Sequence, residues 1–446
     1  MAPPADAPVV VVGAGWAGLA AAVELARRDL PVTLLEAARQ PGGRARGVPF
    51  GSQQVDNGQH LLIGAYHALL EVLETLGIQE QAVFLRRPLE LAMYQEGRRV
   101  LKLKAPPLPA PAHMLGALAT ARGLSPLERL RALRFGARAL RGALAGEAPL
   151  TVRELLAREG QSQRLIRVLW EPLCLATLNT DLDRASAGLF TGVLQAAFAG
   201  TRHNSDLLIP RTDLGTALPA PALKYIENKR ATVRLGQRVR ALQVTDGRVT
   251  GVELAGGRIP ARQVVLAVGP AACRRLVAPI PGLQGVARGL DRLGSEPICT
   301  VYLRYRQEVR MDRPLIGLVG TLTQWVFDRR ICGQPGLMAA VISARGPHLD
   351  LDNAALAARV AREIARLFPR WPAPRDSLVL REKRATFTAS PDVERSRPGP
   401  ALPVAGLWLA GDFTATGLPA TLEGAVISGL RAARSVAETT PPGGRP

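Results

Sequence analysis

Hydrophobic positions near the start of the chain change their spacing twice. Residues 9–12 are a continuous apolar run, which is typical of a strand buried on both faces. Apolar residues then recur at helical spacing, at Leu19, Ala22, Val23 and Ala26. A second apolar run, residues 32–35, ends on Glu36. The pattern predicts a strand, a helix and a strand in succession, which is one βαβ unit of a parallel sheet.

Later segments alternate between helical and extended patterns. Residues 112–200 are mostly helical in spacing, and one helix start is marked by Ser125 as N-cap, Pro126 and Glu128. The following segments are predicted, in order, to be several strands with tight turns, a second sheet, a helix, and a closing strand–loop–helix: residues 238–268, 285–345, 354–367 and 407–436.

These patterns predict an α/β protein with a Rossmann-like dinucleotide-binding domain and an interleaved α+β substrate domain. Rossmann-like patterns occur at both ends of the chain and in its middle, so we expect the substrate domain in two pieces. The expected segments are, in order, binding domain 1–85, substrate domain 86–205, binding domain 206–282, substrate domain 283–384 and binding domain 385–446.

Composition limits the classes of function. Of the 446 residues, 47% are hydrophobic and 21% are charged, which allows a large core and excludes a disordered chain. The net charge is +20, but basic residues are spread along the chain and aromatic residues make up only 4%. No nucleic-acid partner is therefore expected. Because the sequence has neither a long uncharged apolar run nor a signal-peptide pattern, we expect a cytoplasmic protein, or one at the inner face of the cell membrane.

The four cysteines form no pair with the spacing of a metal site or a disulfide framework. They are Cys174, Cys273, Cys299 and Cys332. We expect reduced thiols and no metal centre.

The first βαβ unit carries a glycine pattern that fits a dinucleotide. Gly13, Gly15 and Gly18 form G-x-G-x-x-G directly after the first strand. The first glycine permits a tight turn, the second lets the backbone approach a pyrophosphate, and the third lets helix and strand pack closely. Trp16 and Ala17 open the helix, whose free N–H groups favour a bound anion.

An acidic residue completes this pattern. Glu36 ends the second strand, 18 residues beyond Gly18, where it can accept hydrogen bonds from ribose hydroxyls, and Ala37 follows it. No second G-x-G-x-x-G occurs, so a built-in NAD(P)H domain is not expected.

Two further motifs lie outside the first βαβ unit. Gly42, Gly43 and Arg44 form a second Gly-rich turn, in which the guanidinium could bind a phosphate or could simply be solvated. The chain closes with LWLAGDFTATGLPATLEGAVISG. With these motifs the sequence resembles the flavin-containing amine oxidase and phytoene desaturase superfamily over nearly its whole length. The resemblance implies that superfamily's fold and FAD as cofactor.

The same resemblance implies contacts to the flavin. Asp412, preceded by Gly411, would bind the ribityl or pyrophosphate region. Val239 would give a backbone contact to the adenine, although an ordinary strand residue would look the same. The turn before the last helix would offer backbone N–H groups to the isoalloxazine, from Ala420, Thr421 and Leu422.

A narrower resemblance rests on three long blocks that lie far apart. VDNGQHLLIGAYHALLEVLETLG, WEPLCLATLNT and the closing motif, in which Phe413 stands where tryptophan is more usual, are similar to the hydroxysqualene dehydroxylases of bacterial hopanoid synthesis. This resemblance implies reduction of hydroxysqualene to squalene by reduced FAD. A carotenoid- or phytoene-type desaturase, or another FAD-dependent isoprenoid oxidoreductase, is the alternative. An amine substrate is disfavoured because Cys332 is the last cysteine and Phe413 is the only aromatic residue after the Gly-Asp pair of the closing motif.

The first of these blocks supplies the candidates for chemistry. Asn57, Gly58 and Gln59 are expected to lie against the flavin. His60 is the first candidate for the acid that protonates the leaving hydroxyl, because imidazole titrates near neutral pH; a structural histidine is the alternative. Asp56 is the second candidate, with an Asx-type bond that caps the Gly58 turn as its alternative.

An isoprenoid substrate requires an apolar tunnel and a route for the lipid. Residues 189–200 could line the tunnel or could be ordinary core. The helix that begins at Ser125 carries Arg134, Arg138 and Arg141 on one side and could make a peripheral membrane contact; a surface helix packed on its own domain is the alternative. The sequence does not identify the external electron donor.

Overall fold

The computed structural model describes residue 4, residues 7–142, residue 144 and residues 149–439. Within these ranges no helix is both long enough and apolar enough to cross a membrane. Twenty strands form in this part of the chain: β1 (Val9–Val12), β2 (Val32–Leu35), β3 (Gly47–Phe50), β4 (Gln53–Asp56), β5 (Leu62–Ile63), β6 (Phe84–Arg87), β7 (Glu90–Gln95), β8 (Arg98–Lys104), β9 (Leu207–Pro210), β10 (Thr232–Arg234), β11 (Ala241–Thr245), β12 (Arg248–Leu254), β13 (Gly257–Pro260), β14 (Val264–Leu266), β15 (Glu296–Arg304), β16 (Leu315–Leu318), β17 (Trp325–Asp328), β18 (Leu337–Ser343), β19 (Asp376–Thr386) and β20 (Leu407–Leu409).

The α-helices confirm the predicted helical segments. The helix predicted to begin after Ser125 is α5, and the Ser125 hydroxyl accepts from the backbone N–H of Glu128, whose carboxylate accepts from that of Ser125. A π-helical turn, Ile166–Trp170, joins α7 to α8. The fifteen α-helices of the described ranges are α1 (Trp16–Arg27), α2 (His67–Thr75), α3 (Glu80–Val83), α4 (Ala112–Ala119), α5 (Pro126–Leu140), α6 (Val152–Arg158), α7 (Gln163–Leu165), α8 (Glu171–Leu178), α9 (Ala187–Phe198), α10 (Leu214–Ala217), α11 (Pro219–Asn228), α12 (Pro270–Val277), α13 (Gln284–Arg292), α14 (Asn353–Leu367) and α15 (Leu422–Thr439).

A parallel sheet of five strands, in the order β10-β2-β1-β14-β20, forms the Rossmann-like part. Val10 of β1 pairs with Thr33 of β2 on one side and with Val264 of β14 on the other. Every residue of β1 and β2 is buried, as their continuous apolar runs predicted, because helices cover both faces of a parallel sheet. The predicted α/β fold class is therefore confirmed.

The first and last helices of the described chain pack closely on each other beside this sheet. A Cβ atom at Gly429 of α15 would lie 2.1 Å from the carbonyl oxygen of Ala17 in α1. Only glycine allows such an approach of helix to backbone. The close packing fixes α15, which begins within the closing motif, against α1, which begins within the glycine motif.

The second sheet has seven strands in the order β19-β15-β18-β17-β16-β7-β8 and is antiparallel except where β16 meets β7. One face packs on α14 through a cluster that includes Val301 and Ile342. Apolar residues of the other face, such as Tyr302 and Phe327, belong to the large core shared with the helical segment α4–α9. This second face also contacts the candidate site described below.

The helical segment has an aromatic core centred on Trp170. The ring makes edge contacts with Phe135 and Phe190, at centroid distances of 4.9 and 6.5 Å, and its Nε1 donates to Gln161 at 2.9 Å. Phe190 lies within residues 189–200, which the sequence offered as tunnel lining or core, and it is buried in this packing.

Asn179, in the same sequence block as Trp170, joins the helical segment to the second sheet. It ends α8 in the left-handed conformation, with φ of 49°. Its Nδ2 donates to the carbonyl of Pro297 at 3.2 Å, and its Oδ1 accepts from the N–H of Ala344 at 2.7 Å. We infer that this block acts in packing.

The sheets draw their strands from separate stretches of the chain. The parallel sheet uses β1 and β2, then β10 and β14, then β20, while the seven-stranded sheet uses β7 and β8, then β15 to β19. Strand β6 crosses residue 85 and β19 crosses residue 384. From this distribution we propose the domain segments that the sequence predicted, with two changes. The boundary after residue 85 moves to the end of β6, and the boundary after residue 384 moves to the end of β19.

Candidate flavin site and active site

The glycine motif forms a tight turn between β1 and α1. Gly13 has φ of 107°, and a Cβ there would lie 2.4 Å from the carbonyl oxygen of Ala267. A Cβ at Gly18 would lie 1.9 Å from the carbonyl oxygen of Gly13. Gly15 is the N-cap of α1 and has no side chain, so no side-chain cap occupies the first N–H groups of the helix.

The next two residues face the protein. Trp16 and Ala17 are both buried, and the Trp16 indole N–H donates to the carbonyl of Ala45 at 3.1 Å. Their side chains therefore pack the turn, and their contribution to an anion site is their backbone.

Glu36 connects three segments around this turn. Its carboxylate accepts from the N–H of Ala14 at 2.7 Å and from that of Ala38 at 2.8 Å. Ala37, between Glu36 and Ala38, is exposed. The backbone carbonyl of Glu36 accepts from the N–H of Gln237 at 2.8 Å. That bond brings the segment containing the buried Val239 beside Glu36.

The second Gly-rich turn crosses the first. The N–H of Gly42 donates to the carbonyl of Ala14 at 2.8 Å. A Cβ at Gly43 would lie 3.1 Å from the Cα of Gly15, while a Cβ at Gly15 would meet nothing nearer than Gly43. The two glycines thus leave a surface of bare backbone at the start of α1.

Arg44 is the residue that joins the most predicted elements. Its guanidinium binds the carboxylate of Asp412 at 2.6 Å and the carbonyl of Ala385 in β19 at 2.5 Å. The negative charge of Asp412 raises the pKa of Arg44. The carbonyl of Arg44 accepts from Nδ2 of Asn57 at 3.4 Å, and the same amide donates to Glu382 of β19 at 3.2 Å. The GGR turn, the DNGQH loop and the closing motif therefore meet at this point.

The closing motif is held by a glycine and a buried ring. A Cβ at Gly411 would lie 2.4 Å from Cε1 of Phe413, whose side chain is fully buried. The N–H of Gly411 donates to the hydroxyl of Ser428 in α15 at 3.0 Å. Phe413 is thus turned into the core.

The start of α15 is tied to α2. The hydroxyl of Thr421 accepts from the N–H of Gly424 at 3.0 Å, and the buried carboxylate of Glu423 accepts from the first N–H groups of α2, those of Ala68 and Leu69. Burial raises the pKa of Glu423 and of Tyr66. Ala420 and Leu422, on either side of Thr421, are partly exposed.

Asp56 is completely buried, and its contacts are those of an anchor. One carboxylate oxygen accepts from the N–H of Leu214 at 2.7 Å, and the other from the equally buried Arg329 at 3.1 Å. Its carbonyl accepts from the hydroxyl of Tyr302 at 2.8 Å. Burial raises the pKa of Asp56, and the charge of Arg329 opposes that effect. The carboxylate therefore bonds to distant segments, where the sequence offered an acid or a cap of the Gly58 turn.

Arg329 also holds the next part of the loop. The same guanidinium nitrogen donates to the side-chain oxygen of Gln59 at 2.6 Å, and Nε donates to Gln334 at 2.6 Å. The N–H of Gln59 donates to the hydroxyl of Thr300 in β15 at 3.3 Å. The seven-stranded sheet and the turn after it thus fix the loop from Asp56 to Gln59.

His60 lies at the end of this loop and is partly exposed. Its Nδ1 is buried and makes no hydrogen bond of normal geometry with any described residue, although the backbone of Gly58 is close enough to favour the charged ring. Burial lowers the pKa of His60, and the negative charge of Asp56 opposes the shift. At neutral pH the imidazole is therefore mostly neutral.

The residues present fit FAD. The bare glycine surface and the uncapped start of α1 suit a pyrophosphate, and the acidic Glu36 at the end of β2 suits a ribose. The unpartnered Nδ1 of His60 provides a polar atom for a bound group. The structure brings the predicted residues of the GxGxxG turn, the GGR turn, the DNGQH loop and the closing motif into one connected region.

Comparison with known proteins identifies the family. The sequence profile described as flavin containing amine oxidoreductase matches residues 16–437. The chain is 32% identical to the hydroxysqualene dehydroxylase of Rhodopseudomonas palustris, over 95% of this chain and 97% of that protein. The chain belongs to the hydroxysqualene dehydroxylase group of the flavin containing amine oxidoreductases. It is therefore an oxidoreductase, and its dinucleotide fold makes FAD the flavin.

Other relatives agree with this placement. The hydroxysqualene dehydroxylase of Sinorhizobium fredii is 30% identical over 95% of this chain and 97% of its own. A Synechococcus elongatus protein described as "probable zeta-carotene desaturase" is 27% identical over 96% and 98%. The cyclohexylamine oxidase of Brevibacterium oxydans superposes with a TM-score of 0.68 at 18% identity, covering 97% and 99% of the chains. A triple mutant of putrescine oxidase superposes with a TM-score of 0.74 at 17% identity, covering the same shares. These two structures support the fold.

Sequence reasoning missed two buried arginines. Arg329 holds the DNGQH loop, and Arg397 bonds to the carbonyl groups of the closing motif. For Arg397 the sequence offers only the R-P pair with Pro398 before the closing motif, which is not a recognisable motif. For Arg329 the one signal is a basic residue among apolar neighbours, in WVFDRRIC.

Proposed function

We propose that this protein reduces hydroxysqualene to squalene, in squalene and hopanoid biosynthesis. The observation that supports this proposal is likeness to the hydroxysqualene dehydroxylases of R. palustris and S. fredii along nearly the whole of both chains, at higher identity than to the S. elongatus desaturase relative. Amine oxidases share the fold at 17–18% identity. Phe413, the aromatic residue that follows the Gly-Asp pair of the closing motif, is buried and so does not supply a ring to a substrate cavity.

The proposed reaction breaks one C–O bond and forms one C–H bond. Bound FAD in its reduced form supplies a hydride equivalent to the carbon that carries the hydroxyl group. The hydroxyl leaves as water, which requires one proton, and squalene and oxidised flavin are the products. Because hydroxide is a poor leaving group, a proton donor near the hydroxyl lowers the barrier.

His60 is the proposed proton donor. It is partly exposed at the end of a rigidly held loop, and its buried Nδ1 lacks a partner of normal geometry among the described residues. The lowered pKa means that the protonated ring is a minor species at neutral pH, but a stronger acid than an ordinary histidine. Asp56 is proposed as a positioning residue for this loop, because both of its carboxylate oxygens bond to other segments.

The proposed FAD contacts follow the connected region. The start of α1 and Arg44 would hold the pyrophosphate, Glu36 and Val239 would hold the adenosine, and the DNGQH loop and the start of α15 would hold the flavin ring. The proposed contact residues are Gly13, Gly15, Trp16, Ala17, Gly18, Glu36, Ala37, Gly43, Arg44, Asn57, Gly58, Gln59, Val239, Gly411, Asp412, Ala420, Thr421 and Leu422.

A single-turnover experiment tests the proposed reaction. The purified holoprotein is photoreduced under nitrogen and mixed with hydroxysqualene, the flavin absorbance is followed, and the lipid is extracted for mass spectrometry. We expect reoxidation of the flavin with one squalene formed per flavin. If the flavin stays reduced and the lipid is unchanged, the proposal is wrong, and oxidised holoprotein with polyenes then tests the desaturase alternative.

A peripheral membrane contact is also proposed, and its site is one surface of the helical segment. Four large hydrophobic side chains are exposed among the described residues, and three of them lie in the loop before α4 or on α5: Leu108, Leu127 and Leu130. The outer stripe of α5 continues with the exposed Arg134, Arg138 and Arg141. Leucines beside arginines fit the interface of an anionic bilayer, while Phe135 packs the inner side of α5.

Vesicle co-sedimentation tests this surface. We expect the protein to sediment with vesicles of phosphatidylglycerol and phosphatidylcholine, and the variants L127S/L130S and R134E/R141E to remain in the supernatant. The variant L349S removes the fourth exposed leucine, which lies elsewhere, and should sediment normally. Equal sedimentation of all variants would contradict the proposed surface without affecting the proposed reaction.

A further inference from the structure

Arg397 is a fully buried arginine whose hydrogen bonds converge on one loop. Its guanidinium donates to the carbonyl oxygen of Asp412 at 3.1 Å, to that of Leu418 at 2.8 Å and to the hydroxyl of Thr416 at 3.0 Å. It also donates to the carbonyl oxygens of Phe413 and Thr414. All five acceptors belong to residues 412–418, which we call the closing loop.

The surroundings of Arg397 explain how a charge is tolerated there. Glu394, which is exposed, accepts from the guanidinium at 2.5 Å, and the guanidinium carbon lies over the ring of Phe387, 4.9 Å from its centroid. A buried arginine is costly unless its donors are used. Here the donors are used almost entirely to organise a segment that has no helix or strand of its own.

Asp412 is consequently held both by its side chain and by its backbone. Arg44 binds its carboxylate at 2.6 Å, and Arg397 binds its carbonyl oxygen. The loop leads from Asp412 to the start of α15, where Thr421 and Leu422 lie. The shape of the closing loop therefore sets the position of Asp412 and of the N-terminal turn of α15 together.

We propose that Arg397 is a positioning residue for FAD. It does not contact the cofactor, but it gives the closing loop the shape in which Asp412 and the start of α15 bind the flavin. Without the planar guanidinium the converging carbonyl groups lose their common donor, and the loop must rearrange to satisfy them. This inference rests on FAD as the cofactor of the family and is independent of hydroxysqualene as substrate.

The test measures FAD affinity and the geometry of the bound flavin, apart from turnover. Protein stripped of flavin is titrated with FAD by fluorescence, and the visible circular dichroism of the bound flavin is recorded. R397M keeps the bulk of the side chain, and we expect it to raise the Kd for FAD about tenfold or more, with an altered flavin spectrum. R397K keeps the charge but not the planar fork, so its effect should be smaller.

A matched control and a mild variant complete the design. Arg381 donates to the carbonyl oxygens of His348 and Leu351, outside the closing loop, so R381M should leave the Kd for FAD unchanged. T416V removes only one acceptor of Arg397 and should raise the Kd slightly. If R397M fails to fold, R397K and T416V decide the matter. Lowered melting temperatures of the apoprotein with wild-type Kd and flavin spectrum would overturn the proposal, because a purely structural arginine gives that result.

Discussion

Buried charged groups around the site share one role at the scale of single residues. Asp56, Glu423 and Arg397 are each buried, and each bonds to backbone groups of a loop or helix start outside its own element, at 158, 355 and 15 residues' distance along the chain. The backbone N–H and C=O groups of a loop lack the regular hydrogen bonds of a helix or sheet, so a side chain from another segment must bond to them when they are buried. These charges therefore determine where the loops of the site lie, and His60, at the end of one of these loops, is partly exposed.

The pH dependence of turnover tests His60. Because burial lowers its pKa below the ordinary value of 6.5, the protonated acid accumulates only as the pH falls through that lowered pKa. We therefore expect kcat/KM for hydroxysqualene to rise as the pH is lowered from 7.5 to about 5.5 and to decline as the pH is raised. H60Q keeps a hydrogen-bonding side chain but cannot titrate, and should lower kcat about a hundredfold and flatten this limb. An unchanged pH profile in H60Q would show that another group gives the proton.

The Asp56–Arg329 pair predicts a strong energetic coupling. Both side chains are at most 1% exposed, so R329M leaves a buried carboxylate without its counter-charge and should lower the free energy of unfolding by about 3 kcal/mol. D56N should also be destabilising, and the double variant D56N/R329M should lose clearly less than the sum of the two. R274M breaks the exposed pair with Asp291 and should cost less than about 1 kcal/mol. Additive losses in denaturant unfolding would argue against a coupled pair.

Helix packing makes a prediction at the scale of elements. A methyl group at Gly429 would lie 2.1 Å from the carbonyl oxygen of Ala17, so G429A must push α15 away from α1 and should cost about 2 kcal/mol of stability. Gly192 lies inside α9, where a methyl group would meet no atom within 4 Å beyond its own stretch of helix, so G192A should leave stability unchanged or raise it by about 0.5 kcal/mol. Thermal melts of the two variants compare the same chemical change. Equal changes in melting temperature in G429A and G192A would mean that α15 and α1 are free to separate.

Elements were more predictable from the sequence than the contacts between them. Local spacing fixed β1, α1 and β2, and the capping box at Ser125 fixed the start of α5, because each of these depends on neighbours within a few residues. The role of Asp56 could not be read in the same way. Its partner Arg329 is 273 residues away, and only tertiary packing reveals that the carboxylate is buried. From the sequence, a carboxylate beside a Gly turn is a candidate for catalysis, and its buried contacts support the positioning role that we propose.

At the scale of the whole molecule, the proposed FAD site is assembled from segments that are distant in sequence and belong to both sheets. Glu36 directly follows a strand of the parallel sheet, Glu382 lies on a strand of the second sheet, and Asp412 follows β20. A ligand that binds only when these segments are together stabilises the folded state by RT ln(1 + [L]/Kd), about 2.7 kcal/mol at a hundredfold excess over Kd. Removal of FAD should therefore lower the melting temperature of the whole chain.

FMN provides the comparison that locates this stabilisation. It carries the flavin ring and one phosphate but lacks the second phosphate, which we place at the start of α1, and the adenosine, which we place beside Glu36 and Val239. Added to flavin-free protein at the same concentration, FAD should raise the melting temperature by several degrees and FMN by much less, because FMN leaves the glycine turn without a ligand. E36Q should reduce the shift caused by FAD and leave the small shift caused by FMN as it is. Equal shifts with both flavins would mean that the dinucleotide half of the site contributes nothing, and the glycine motif would then serve only the packing of β1 on α1.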